Sequence, residues 1–391
     1  MDIKKLRAWY AKKQGLDGSF QRATPAEVLE KTGWARSVGG ANPYLSLFAR
    51  AGIGRETADQ AAAKLTIHEL PSARGCTYVV PASDYALALT VGRGFGEEAE
   101  IQLAVKHLNV TEREIEKLMQ LVIAALKDAP KDPRKLKDDL GSAVRNLGEE
   151  GKKRGMTTTL PLALGKLQTM GQIRRIPASG RLDQQRYSYS LWQPSPLQKS
   201  KLSDGEAHSQ LLRKYFEWIG PATLKEFQWF SGFSLKTCKE AASTLKLLPV
   251  EPDSEYLILK EEMEEFRSFR VPSKPVYCLV SSLDNIIHLR RDLSALLEPA
   301  DQQREILRSK KNLLQDLPHH AIVDLGRVIG LWEFETSSRK IAWSSFVSAD
   351  KELKSAVAKT EEFVREQLGD ARSFSLDSPE SRASRIAALR A

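Results

Sequence analysis

The sequence predicts a mainly helical α+β fold, with three tandem winged-helix units followed by a small C-terminal β-containing segment. Two observations carry this. Helices closed by an extended pair recur three times along the 391 residues, and chance patterns rarely recur. Beyond residue 271 the pattern changes to apolar runs broken at Gly326, which reads as a hairpin-rich sheet. The expected units are residues 1–95, 96–193 and 203–270, then an α/β segment over 271–372 and a mobile polar tail over 373–391.

In the first unit, Ile3, Leu6, Trp9 and Tyr10 fall at helical spacing within residues 2–15. Thr24-Pro25-Ala26-Glu27 combines a capping box with proline at the first helical position, so a helix runs from there to Gly33. Tyr44, Leu45, Leu47 and Phe48 give another helical face, and the alanine-rich stretch 54–64 a fourth helix. Residues 73–81 read as extended, with Arg74 at the mouth and Pro81 at the end. Between helices lies Gly33-Trp34-Ala35-Arg36-Ser37-Val38-Gly39-Gly40-Ala41-Asn42, a glycine-rich turn whose Gly39-Gly40 permits backbone conformations closed to other residues. With the arginine-led strand beside it, this is the candidate binding cleft.

In the second unit, residues 97–107, 111–126 and 132–141 read as helices, with Thr111 and Asp132-Pro133 as start signals. Residues 149–155 read as a charged connector, 157–170 as a helix, and 173–177 with 186–192 as a hairpin turning at 178–181. The third unit has helices over 203–219, 224–230 and 234–247, then an extended pair around Asp253-Ser254. The last segment reads as a strand at 276–280 and a largely helical stretch over 290–307. A hairpin of 321–324 with 328–334, a strand at 340–346 and an amphipathic helix over 351–367 follow.

A hydrophobic share of 41% with 28% charged residues is ordinary globular composition. No apolar run approaches the roughly 20 residues of a membrane span, and the charged N-terminus lacks an apolar signal core, so a cytoplasmic protein with no membrane partner is expected. Cys76, Cys238 and Cys278 stand far apart, without metal spacing, as buried thiols in a reducing compartment would. His319-His320 lacks matching ligand spacing and reads as a loop pair. No phosphate-binding glycine loop, dinucleotide fingerprint or serine elbow occurs, and no cofactor or metal is expected. The formal net charge of +9 suits a polyanion.

Double-stranded DNA is the partner that this charge and the winged-helix order favour together. Lys152, Lys153 and Arg154 would pair with phosphates, with Thr157, Thr158 and Thr159 adding hydroxyl and helix N-terminal contacts. The alternative is a solvated charge run. Arg174, Arg175 and Arg181 decorate the second hairpin, either reaching DNA or keeping an edge soluble. Arg36 and Arg74 either clamp a phosphate or brace the loop against Glu69 or Asp84. Asn42 adds a polar contact, and Tyr44 and Tyr78 either stack on a base or belong to the core.

Several stretches in order carry a resemblance. These are the Gly33-to-Arg50 loop and helix, Arg74-Gly75-Cys76-Thr77-Tyr78 running to Pro81-Ala82-Ser83-Asp84, and Gly220-Pro221-Ala222-Thr223 with Trp229. Leu283-Asp284, Glu298-Pro299 and Val323-Asp324-Leu325-Gly326-Arg327-Val328-Ile329-Gly330-Leu331-Trp332 complete the set. Through them the chain resembles the AlkZ/YcaQ-like family of bacterial winged-helix DNA glycosylases, which act in crosslink repair. The resemblance implies a curved basic DNA-holding surface and monofunctional, metal-independent hydrolytic removal of alkylated purines; a monomer is expected. It also implies a water-positioning Gln-x-Gln or Gln-x-Asp pair in the first loop. Here those positions hold Arg36 and Val38, so no catalytic residue carries over. Ser37, Asn42 and Glu69 are the polar groups nearby. Three functions stay open: a glycosylase working on alkylated or crosslinked bases, a non-catalytic DNA-binding regulator or damage sensor, and a protein-interaction scaffold.

Overall fold

The computed structural model describes residues 2–290, 292–307 and 314–390. It is an α+β chain with four small sheets. The first has strands β1 (Ala35–Arg36), β2 (Ile67–Pro71) and β3 (Thr77–Pro81) in the order β1-β3-β2. Two hairpins follow, β4 (Ile173–Pro177) with β5 (Tyr187–Leu191), and β6 (Leu247–Pro249) with β7 (Leu257–Leu259). The fourth sheet joins β8 (Tyr277–Val280), β9 (His320–Asp324), β10 (Arg327–Glu335) and β11 (Lys340–Ser345) in the order β11-β10-β9-β8. Among the described residues no helix is long and apolar enough to cross a membrane.

Most helices stand where their caps place them. Asp2 accepts from the amides that open Ile3–Lys13, and Thr24 and Glu27 form the capping box of Pro25–Thr32. Ser203 and Glu206 open Asp204–Ile219 in the same way, and Thr223 with Glu226 opens Leu224–Ser231. The β9–β10 turn uses left-handed backbone at both Leu325 and Gly326, the geometry a two-residue hairpin needs.

Four expectations are corrected. Residues 149–155 are not a bare connector: Gly148–Lys153 is helical, with acids in the first turn and lysines in the last, the arrangement the helix dipole favours. Of the stretch 290–307, Arg291 lies outside the described residues and the rest holds three short 3₁₀ turns in place of a helix. Pro299 interrupts it, and its carbonyls are taken: Arg7 donates to Ala295 O and Leu297 O at 2.6 Å each and pairs with Glu298. Leu235–Ser243 ends early because Leu247 already belongs to a strand. The segment after 373 carries a packed helix, Pro379–Arg390, in which buried Arg382 pairs with Asp370 and Arg385 pairs with Glu333 and Asp377. Its apolar residues are few, so the sequence pattern reads as tail; arginine–carboxylate pairs dock it instead.

Three of the four cores are built from distant parts of the chain. Trp34 and Tyr78 pack with Trp218 and Phe230. Leu45 and Leu47 share a core with Trp332 and Phe334, and Leu6 and Trp9 with Ile258, Phe266 and Leu331. The fourth, from Ile101 to Tyr189, is local to its stretch. A buried ion pair ties the helix Asn42–Ala51 to the start of Asn285–His288. Arg50 donates to both carboxylate oxygens of Asp284 at 2.7 and 2.8 Å, and Asp284 caps that helix.

Candidate nucleic-acid interface

β1 is two residues long, and its pairing decides which way the loop residues face. Ala35 opposes Val79 and Arg36 opposes Tyr78, while Glu69 and Leu70 flank Val79 and Tyr78 on the other side. Side chains alternate along a strand, so Arg36 shares a face with Tyr78 and Leu70. Ser37 falls on the face of Val79 and Glu69. The contacts agree. The Arg36 guanidinium stands 5.4 Å from the Tyr78 ring, while Ser37 Oγ donates to Glu69 at 2.6 Å. Asn42 is buried and its Nδ2 donates to Arg36 O at 2.8 Å, holding the turn closed. Glu69 is buried as well, which raises its carboxyl pKa against the opposing effect of Arg175.

The Arg36 face carries a second arginine. Arg74 has left-handed backbone, with φ of 58°, and its guanidinium lies 4.5 Å from the centre of Trp229. His288 meets the same tryptophan edge-on at 5.5 Å. Burial and then the charges of Arg36 and Arg74 push the His288 imidazole down to about 4. The same two charges oppose the upward push of burial on the Tyr78 phenol. Both arginines therefore act at one place. Each makes one long carbonyl contact, Arg36 to Thr77 O at 3.4 Å and Arg74 to Trp229 O at 3.3 Å, and Arg36 also hydrogen-bonds the Tyr78 hydroxyl. Among the described residues neither has a carboxylate partner, so neither braces the loop against Glu69 or Asp84. Tyr78 itself is 2% exposed and Tyr44 fully buried, so both rings are core and present no face for stacking.

The outer face of the loop is gripped by the C-terminal segment. Arg372 Nε donates to Gly39 O at 3.0 Å, Ala41 N to Arg372 O at 2.8 Å, and Ser375 N to Val38 O at 3.0 Å. A Cβ on Gly40 would sit 2.2 Å from Ser373 O, so glycine here serves the approach of another strand of backbone.

Between the first sheet and the second unit lies a cleft of about 760 Å³ lined by Gly75, Thr77, Arg134, Lys137, Thr157 and Thr158, among others. Thr157 lines the cleft, and it and Lys152, Lys153 and Arg154 are exposed. Lys152 and Lys153 pair with Glu149 and Glu150 one turn back, at 2.6 and 2.8 Å. Such exposed pairs are worth under about 1 kcal/mol and yield easily to a phosphate. Thr159 is fully buried and its hydroxyl accepts from Arg145 N. The hairpin arginines do not form a projecting tip. Arg175 stacks on Tyr187 at 5.0 Å beside Glu69, and Arg174 lines a 420 Å³ pocket with His68 and Ala62. Arg181 pairs with Asp183 and donates to Leu368 O at 3.0 Å. His319 and His320 are buried, against Glu333 and Ala371 O respectively.

The profile of the DNA glycosylase AlkZ-like family matches residues 32–371. The chain belongs to the AlkZ-like family. The *Streptomyces sahachiroi* DNA glycosylase AlkZ is a similar solved structure, with a TM-score of 0.70 and 18% identity; the match covers 94% of this chain and 97% of that one. At that identity the likeness speaks for the fold. No curated protein matches the chain. Membership supports a glycosylase-like role in DNA repair. The structure also holds a residue beside Arg36 and Arg74 that sequence reasoning missed. His288 gave no signal of its own, because it meets Arg36 and Arg74 only after more than 200 residues of intervening chain have folded.

Proposed function

We propose that this AlkZ-like protein binds alkylated or crosslinked duplex DNA on tandem winged helices (residues 1–95, 96–193 and 203–270), and that its first cleft holds DNA without hydrolysing the glycosidic bond. Arg134, Lys137, Lys152, Lys153, Arg154 and Thr157 supply the backbone contacts along the second unit, and Arg36 and Arg74 those at the first sheet. The observation that carries the reading is the parity of β1. It sets Arg36, a cation, toward Arg74 and His288, and sets Ser37 with the Glu69 carboxylate on the opposite face.

Hydrolysis of an N-glycosidic bond builds positive charge on the sugar as the base departs, which a carboxylate or amide beside the attacking water stabilises. Two guanidinium groups at that place oppose it. The test pairs binding with base release on the same alkylated duplex. Binding that weakens steeply between 50 and 200 mM salt, with no free base liberated, is the expected result. Liberated base that disappears in Arg36→Ala would overturn the binding-only reading, and no binding at low salt would leave a protein-interaction role.

A further inference from the structure

We infer that Arg36, Arg74 and His288, backed by Trp229, form a site for one phosphodiester group of nucleic acid. This rests on the DNA-binding reading and adds to it a defined ligand and two residues, Trp229 and His288.

The first support is unused hydrogen-bonding capacity. A guanidinium offers five N–H donors in a planar fork; Arg36 donates to a carbonyl at 3.4 Å and to the Tyr78 hydroxyl, and Arg74 to a carbonyl at 3.3 Å, which leaves donors over on both. Both side chains are half-buried, where a cation without a counterion is costly. Four separate elements nevertheless bring them together: β1, the turn before β3, and the helices Leu224–Ser231 and Asn285–His288.

The second support is the rigidity of the setting. Arg74 is fixed by its left-handed backbone, by its stack on Trp229, and by Gly232, where an added Cβ would lie 3.0 Å from Arg74 Cγ. Arg36 is fixed by the Tyr78 ring and by Asn42 on its carbonyl. A pair of anchored guanidinium groups matches the two free oxygens of a phosphodiester.

The third is His288, which burial and then the two positive charges keep neutral. A neutral imidazole adds no further repulsion to the empty site and can donate one hydrogen bond to a phosphate oxygen. An arriving anion offsets the two arginine charges and so removes part of what held its proton off, burial being the rest.

The experiment measures duplex affinity against salt for wild type, Arg36→Met, Arg74→Asn and the double variant. Asparagine is chosen because it tolerates left-handed backbone. Loss of one phosphate contact reduces the slope of log affinity against log salt by about 0.9, and the double variant is expected to show that reduction with an affinity loss of about tenfold or more. Should the double variant fail to fold, Arg36→Met alone, which removes an unpaired half-buried cation, still reads the slope. In parallel, the His288 titration followed by NMR moves up from about 4 when duplex is added to wild type. Intact binding with an unchanged slope and an unmoved His288 overturns the phosphate site and leaves DNA binding standing. No binding by wild type at 50 mM salt overturns both.

Discussion

Arg50→Met isolates the ion pair that fastens the helix Asn42–Ala51 to the start of Asn285–His288. Arg50 and Asp284 are 3% and 0% exposed. The arginine meets both carboxylate oxygens and also donates to Gln14 Oε1 at 2.8 Å and Ser46 O at 3.1 Å. Methionine keeps much of the stem volume and leaves Asp284 with Ser46 Oγ and the capped amide of Ile286. Breaking a buried pair from one side costs about 3–5 kcal/mol, because the remaining charge is stranded. That is a large part of the roughly 5–15 kcal/mol that holds a typical fold.

The dependence on pH has a definite sign. Burial acts to raise the Asp284 pKa, but Arg50 and the hydrogen bonds outweigh it, so the folded pKa is depressed. The pair's contribution is therefore complete above the ordinary aspartate value near 3.9 and is lost as pH falls through the folded pKa. In the variant the stranded carboxyl is pushed up instead, so acidification relieves its penalty and the gap to wild type narrows. Urea denaturation followed by tryptophan fluorescence at pH 7 and pH 4.5 reads both effects. A loss under about 1 kcal/mol at pH 7, or a gap that widens on acidification, would refute the reasoning.

Other outcomes follow from the same geometry. His68 is buried and held neutral down to about 3, so the unfolded chain takes up a proton first. Stability falls below pH 6.5 by up to roughly 1.4 kcal/mol per unit, and His68→Phe flattens this part of the pH profile; an unchanged profile would count against it. Gly40→Ala drives a methyl onto Ser373 O at a cost of about 1–3 kcal/mol, and hydrogen exchange at Ala41 and Ser375 amides quickens if the clamp is real. Restoring a glutamine with Arg36→Gln lowers duplex affinity without producing base release, because Val38 still supplies no polar partner; release from that single variant would show that one amide is enough.

Much of the fold was legible because caps and turns are local. Thr24 to Glu27, Ser203 to Glu206 and Leu325-Gly326 each state their geometry within four residues. The stretches that resembled a family were legible too, and the structure gives them a mechanical meaning: Arg50 pairs with Asp284 and Arg7 with Glu298. Those residues hold the architecture together. The site was harder to read, since its meaning depends on facing. Nothing in Arg36-Ser37 says which of the two points toward Arg74 until β1 pairs with β3. Asn42 and Thr159 look available as contacts, yet both are buried in turns that they stabilise. The hairpin arginines form no projecting tip because Arg175 stacks on Tyr187 of the opposite strand, and Arg181 is held by Asp183 two residues on and by Leu368 O across 187 positions of chain.

The clamp on the glycine loop also has a consequence in time. Arg372 reaches Gly39 across 333 positions of sequence, so a ribosome that has made the loop must add all of those residues before the ones that grip it exist. At about 5–20 residues per second that interval is on the order of tens of seconds. Over that interval the core spanning Ile101 to Tyr189 can close from its own residues. The outer grip on the cleft loop waits for Arg372 and Ser375, long after the loop itself has been made.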